Sequence, residues 1–429
     1  MDTVTPPRAT TVGSPAAGVR RVQRRTLAVL AVTQALGGAG VSTVAAVGGL
    51  TAAQLSGSAS VGGLALTAGA LGAALVGLPL ARAAERAGRR TGLLGGYLVA
   101  ALGAVAASAA VAVGSWPLLL AASVLLGTAT ATTLAARFAA TDLARPQERG
   151  RALSVVLWAT TTGAVTGPNL AAPAGRLAPA VGAAPAAGPY LLCAALFSAA
   201  ALGVHVGLRP DPLLVARTRR TGQAAPPARS RALLVRGLAI TAVVVAQAVM
   251  VGLMAMAPLH LAHGGADLRV VGLTISAHVG AMYALSPLFG WLSDRLGRLP
   301  VLGLGAGLLT AAAVVGATAA GHTATGHAAA GHPAGHAVLQ VTCGLALLGT
   351  GWSAVLVSGS ALLVDAVPPA ERPRVQGRAD ALMNLGGAAG GVVAGALVGA
   401  ASYPTLCAAA TALPALVLVA VVRRLRRPR

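Results

Sequence analysis

Gly290-Trp291-Leu292-Ser293-Asp294-Arg295-Leu296-Gly297-Arg298 ends one long apolar run and opens the next. Ala81-Arg82-Ala83-Ala84-Glu85-Arg86-Ala87-Gly88-Arg89-Arg90 does the same 209 residues earlier. Each stretch places a carboxylate, an arginine, a glycine and a second arginine at the same spacing. Each is flanked by apolar runs near the ~20 residues that a helix needs to cross a bilayer. A charged turn that recurs at matching places between such runs makes the chain two copies of one membrane unit.

Working outward, more of the copy becomes visible. Leu125-Leu126-Gly127-Thr128 recurs as Leu347-Leu348-Gly349-Thr350, Glu148-Arg149 and Arg151 recur as Glu371-Arg372 and Arg374, and Gly163 and Gly167 recur as Gly386 and Gly390. These later matches are offset by 222 or 223 residues, so the second copy carries an insertion. The Gly/Ala/His stretch 321–337 is the evident one. Two six-helix units of like orientation form an architecture found in transporters.

The periodicity predicts twelve spans, at about 26–50, 59–81, 92–113, 117–140, 151–173, 188–207, 234–258, 268–291, 299–320, 338–364, 376–401 and 404–422. The division at Gly114–Pro117 and that near Tyr403–Pro404 carry the faintest signals. The resulting organisation is a basic tail (1–25), a first bundle (26–207), a linker (208–233), a second bundle (234–422) and a basic tail (423–429), with 321–337 inserted in the second bundle.

Composition agrees. Of 429 residues, 56% are hydrophobic and 10% charged, against roughly 25% charged in a soluble domain. The net charge is +22, and all 32 basic residues are arginine. They fall almost entirely in the even-numbered gaps and both tails, the cytoplasmic side by the positive-inside rule. Both termini are then cytoplasmic, and the apolar run after Arg25 is a first span, not a cleaved leader. A nucleic-acid reading of the charge fails, because the arginines make no single face and three Phe, four Tyr and four Trp give no stacking platform. Cys193, Cys343 and Cys407 lie in apolar runs and read as small hydrophobes, not as a disulfide framework or metal site.

With these motifs quoted, the chain resembles the major facilitator superfamily (MFS), and the resemblance covers nearly its whole length. The family's loop signature, Gly-x-Leu-x-Asp-Arg-x-Gly-Arg, is matched from Gly290 to Arg298; in the first copy Ala81 replaces Gly and Glu85 replaces Asp. Gly163-x-x-x-Gly167-Pro168 resembles the fifth-helix motif of the family's proton-driven antiporters, drug exporters included. The family's fourth-helix Arg-x-x-Gln-Gly pattern is missing, with Ser123 and Leu126 at its polar positions ahead of Gly127. The resemblance implies an all-α membrane fold of two pseudo-symmetric six-helix bundles around a central site, working by alternating access.

It also implies roles. Glu85, Arg86, Gly88, Arg89, Gly290, Asp294, Arg295, Gly297 and Arg298 would latch the two halves on the cytoplasmic side. A carboxylate near a helix N-terminus can accept its free N–H groups, although the arginines alone would serve merely to fix topology. Gly163, Gly167 and Pro168 suit either a hinge or plain small-residue packing. Polar side chains at membrane depth are costly and mark candidate cavity positions: Gln34, Asn169, Gln247, His278 and Asn384. Interhelical hydrogen bonding is their plainer use. No carboxylate falls in mid-span, which leaves His278 as the central group able to titrate near pH 6.5. Arg137 reads as snorkelling to the headgroups or pairing with a carboxylate of the cytoplasmic gate, for which Asp142 is a candidate. The repeated Gly-His units at 321–336 fit no fixed metal spacing.

The expected function is proton-coupled efflux of small lipophilic compounds, with an importer or metabolite carrier, or a transporter-like sensor without flux, as the other readings. The chain is expected to act as a monomer in a bacterial cell membrane. No catalytic constellation, cofactor, metal or nucleic-acid partner is expected, and no Gly-Lys-Ser/Thr phosphate loop points to ATP.

Overall fold

The computed structural model describes residues 15–218, 229–263, 268–319, 333–368 and 371–426. Their regular structure is helical, as lipid demands: every backbone polar group must bond within its own segment. The first half contains α1 (Pro15–Ser56), α2 (Ala59–Ala87), α3 (Arg89–Ala112), α4 (Trp116–Ala139), α5 (Arg149–Leu177) and α6 (Gly188–Gly207). A short α7 (Pro212–Thr218) follows. The second half contains α8 (Arg229–His263), α9 (Leu268–Ala284), α10 (Ser286–Leu296), α11 (Arg298–Ala319), α12 (Pro333–Asp365), α13 (Arg372–Ala400) and α14 (Tyr403–Leu425).

The expected spans reappear with three physical adjustments. α1 begins at Pro15, inside the stretch read as a tail, and runs for 42 residues. Nothing between Ala16 and Arg25 breaks a helix, and arginine is a good helix former, so the helix projects beyond the membrane. The eighth span divides into α9 and α10 at Leu285, because the ring of Pro287 cannot continue the helical ladder. Among the described residues, eleven helices are long and apolar enough to span a membrane. α5 is the one left short, diluted by its threonines, Asn169 and three arginines.

Both faint divisions are built in the same way. Ser115 caps α4 by accepting from Leu118 N, and Ser402 caps α14 by accepting from Thr405 N. Pro117 and Pro404 each follow two residues later, where a missing N–H costs nothing.

Two cores result. One lies within the first half around Tyr97, Phe197 and Leu30. The other fills the second half, and Phe138, Leu153 and Leu157 reach into it from α4 and α5. The halves meet mainly where α2 crosses α13 and α5 crosses α10. Both crossings lie toward the end where the arginines gather, called here the basic end.

Candidate functional site

The two signature loops share one backbone shape. Gly88 has φ 93° and ψ 168°, and Gly297 has φ 98° and ψ 163°. Only glycine adopts these angles without strain, which explains the invariant place of glycine in both copies.

Their carboxylates behave differently. Asp294 accepts from the backbone N–H of Gly150 and of Arg151, both at 2.8 Å, and from the Arg298 guanidinium. Gly150 and Arg151 lie in the first turn of α5, whose N–H groups have no partner within the helix. A carboxylate of the second half therefore caps a helix of the first. Glu85 makes no hydrogen bond or ion pair among the described residues. The cause is legible in the repeat: at an offset of 223, Gly150 corresponds to Pro373. Proline has no N–H to give. The Gly88 turn is held instead by Asp211, which accepts from Arg90 N at 2.7 Å and caps α7 through Leu213 N at 2.9 Å.

Behind the loops lies a layer of ion pairs, buried at Asp142 and exposed at Asp365. Arg89 donates to Asp142 at 2.8 Å and, across the halves, to Gln376 Oε1 at 2.6 Å. Arg298 donates to Asp365 at 3.1 Å, and Arg149 of the first half reaches the same carboxylate. These are pseudo-equivalent pairs, since Asp142 maps onto Asp365 at the offset of 223. Arg298 also donates to Pro146 O, another contact between halves. Arg86 is exposed, and Arg295 lies 5.2 Å over the Trp291 ring.

Arg137 does not snorkel, being 1% exposed. It pairs with a carboxylate of this layer, but not with Asp142, which is taken by Arg89. Arg137 donates to Asp380 at 2.5 Å and to Ser360 at 3.2 Å, both in the second half. Removing one member of such a buried pair typically costs about 3–5 kcal/mol.

The crossings themselves need small residues. A Cβ on Gly290 would overlap Ser154 Oγ and lie 2.6 Å from Gly150 O. At the other crossing, a Cβ on Gly377 would overlap Ala81. Ala81 stands where Gly290 stands, and Gly377 where Ser154 stands. The extra atoms have changed sides and the clearance is similar. The helix-five glycines serve packing within the first half. A Cβ on Gly163 would overlap Ala35 O, and one on Gly167 would overlap Ala39 O. Ser42 and Thr43 of α1 donate to Gly163 O and Gly167 O at 3.0 and 2.8 Å. Pro168 follows inside α5.

Away from the basic end, a cavity of about 780 Å³ lies among α1, α2 and α4, and Asn384 of α13 adds to its wall. Its lining is alanine, glycine, valine and leucine, with Phe197 and the polar Ser123, Thr130 and Asn384. Among the described residues no charged side chain lines it. Ser123 bonds back to Leu119 O, and Asn384 Nδ2 donates to Asp380 O at 2.9 Å.

The other polar candidates lie elsewhere. Gln34 is 2% exposed and donates to Thr133 O and Thr160 Oγ1. His278 is fully buried against α12, with Nδ1 2.7 Å from Leu345 O. Gln247 accepts from Trp352 Nε1 at 2.8 Å. Asn169 is exposed and donates to Val165 O. Among the described residues no three His, Cys, Asp or Glu converge on a metal position; His322, His327 and His332 lie outside them. Sequence reading assigns no role to Asp211, Gln376, Asp365 or Asp380. The 223-residue offset, applied to every charge, flags Asp365.

Comparison with known proteins follows the same lines. Residues 28–267 and 238–429 match the profile of the Major Facilitator Superfamily. The uncharacterized MFS-type transporter YdeG of Bacillus subtilis (strain 168) is 36% identical over 412 residues, covering 94% of this chain and 92% of its own. The riboflavin transporter RfnT of Brucella anthropi is 30% identical over 409 residues, covering 94% and 96%. Among solved structures, the proton:xylose symporter XylE superposes with a TM-score of 0.72 at 15% identity, covering 94% and 96%. The Escherichia coli fucose:proton symporter FucP gives 0.70 at 15%, covering 94% and 98%. At that identity the likeness is one of fold.

Proposed function

The chain belongs to the Major Facilitator Superfamily, and on that premise we propose that it exports small, uncharged, lipophilic compounds in exchange for protons. The basic end faces the cytoplasm, because arginine-rich turns stay on that side. The conformation described is then closed to the cytoplasm. Asp294 on the α5 N-terminus, Arg149 and Arg298 on Asp365, and Arg137 on Asp380 form the latch. Transport consists of breaking this layer and rocking the two halves about the central site.

The observation that carries the substrate class is the uncharged cavity. Ser123 and Leu126 line it at the positions where the family's fourth-helix pattern has Arg and Gln. An apolar wall with a few hydroxyl and amide groups favours a ligand with a large hydrophobic body and few polar atoms. A charged substrate would leave its charge unpaired there.

The relationship to a riboflavin transporter favours a second reading, a metabolite carrier for a neutral heterocyclic compound. One assay separates the two. Everted vesicles bearing the protein are acidified inside, and proton movement is followed by a fluorescent dye on adding neutral lipophilic antibiotics, ethidium or riboflavin. Proton release with a neutral antibiotic, lost in Asp294→Asn, is the expected result. A response to riboflavin alone selects the metabolite carrier. Silence across the panel from folded protein removes proton-coupled export.

A further inference from the structure

We propose that Asp380 is the residue that takes up the coupling proton, and that losing its ion pair with Arg137 is what unlatches the cytoplasmic gate; this rests on the proton-coupled reading above. The sequence offers no mid-span carboxylate, yet the fold builds a position for one. Asp380 is 4% exposed and Arg137 is 1% exposed. They come from opposite halves and meet at 2.5 Å. A bond between halves is broken whenever the halves part, so its charge state bears directly on the gate.

Asp380 also lies between two spaces. One helical turn away, Asn384 lines the 780 Å³ cavity on the side away from the cytoplasm, and its Nδ2 is bonded to Asp380 O. Toward the cytoplasm, Asp380 itself lines a second cavity of about 450 Å³ with Arg89 and Gln376. Gln376 Nε2 is buried there without a partner, which leaves a donor for water.

The surrounding charges make Asp380 the group free to respond. Arg137 from α4 and Arg89 from α3 are the charged groups acting on it. Arg89 is already engaged by Asp142 and Gln376. α2 faces the shared cavity with Gly77 and Ala81, and α12 offers Ser360 to Arg137. Of the α8 arginines at this end, Arg236 lies 4.0 Å from Glu371. On α13 itself Arg374 and Arg378 are exposed, and α14 brings Arg423 and Arg424 only in its last turn.

The step is a simple proton transfer. A proton from water in the outward cavity binds a carboxylate oxygen of Asp380. The acid no longer balances Arg137, which keeps its bonds to Leu134 O and Ser360 but is left as a buried, uncompensated cation. Opening the basic end hydrates it. The proton leaves Asp380 to cytoplasmic water, and the pair reforms as the gate closes.

The test needs no substrate. Full-length protein in lipid nanodiscs is followed by hydrogen–deuterium exchange at pH 7.5 and 5.5, corrected for intrinsic rates, in peptides covering 134–142 and 372–384. We expect the wild type to exchange at least tenfold faster at the lower pH. Asp380→Asn exchanges fast at both. Arg137→Gln/Asp380→Asn, which removes both charges of the pair, returns to slow, pH-independent exchange, which a misfolded variant would not do. A pH response that survives in Asp380→Asn overturns the assignment while leaving proton coupling intact. A wild type with no pH response also overturns it, and the vesicle assay then decides coupling separately.

Discussion

Asp294→Asn and Glu85→Gln remove the same charge from equivalent positions of the repeat, yet they should differ sharply. Asp294 accepts two backbone N–H groups at 2.8 Å from the first turn of α5, together with Arg298. Asparagine keeps one acceptor oxygen and turns an N–H₂ toward the second donor. A hydrogen bond to a charged acceptor contributes about 1.5–3 kcal/mol. A carboxylate at a partly buried helix N-terminus adds up to ~2 kcal/mol. The two overlap, so the closed gate should lose about 2–4 kcal/mol, or roughly 30- to 1,000-fold in the closed-to-open ratio at ~1.4 kcal/mol per decade. Glu85 has no partner to lose among the described residues, and its neutralisation should stay within about threefold. Spin labels at Gln147 and Leu296, both exposed at the basic end, report opening as a longer distance by pulsed electron resonance. Pro373→Gly supplies the missing N–H, and in that background Glu85→Gln should become costly. Equal shifts for Asp294→Asn and Glu85→Gln, or no shift for Asp294→Asn, would refute the capping argument.

Gly290→Ala places a methyl against Ser154 Oγ and Gly150 O, so the same labels should show a gate that fails to seal, and Ser154→Gly should restore it. Gly167→Leu drives a side chain into Ala39 O and Ser42; overpacking of this kind costs about 1–3 kcal/mol or more, read as a lower melting temperature in detergent. His278→Gln can keep the bond to Leu345 O and lies away from the described cavity, so it should change melting by little and leave any substrate-induced proton signal in vesicles as it was. Loss of that signal in a well-folded His278→Gln protein would return the titrating role to α9.

Much of the fold was legible because apolar length and arginine placement are one-dimensional signals. Twelve spans, the duplication and the shape of the two signature loops follow from runs, turns and the Gly88/Gly297 repeat. The gate was legible only in part. Asp294 reads as functional because it lies in a motif. Asp211 does not, because it sits among the prolines and arginines of 208–233, which read as linker, and its bond to Arg90 spans 121 residues. Gln34 and His278 show the converse. Polarity at membrane depth marks a residue that needs a partner, and in both the partner is a neighbouring helix. Only packing separates that use from a cavity wall.

The departures from symmetry say how the gate should open. Across the repeat, Arg137 maps onto Gly359 at the fourth helix's offset of 222, and Leu157 onto Asp380 at 223. One crossing therefore carries a buried ion pair where the other carries a glycine and a leucine, and Leu157 is packed into the second core. The α5–α10 crossing is held by Asp294, which accepts from main-chain N–H groups of the α5 first turn. The α2–α13 crossing has no such cap, because Pro373 removes it, and relies on Arg137–Asp380 and Arg89–Gln376. A proton arriving at Asp380 weakens the second crossing and leaves the first intact. The latch then yields in order, α2 from α13 before α5 from α10. The uncapped crossing is the one whose contact between halves rests on Asp380, and so the one that a proton on Asp380 releases.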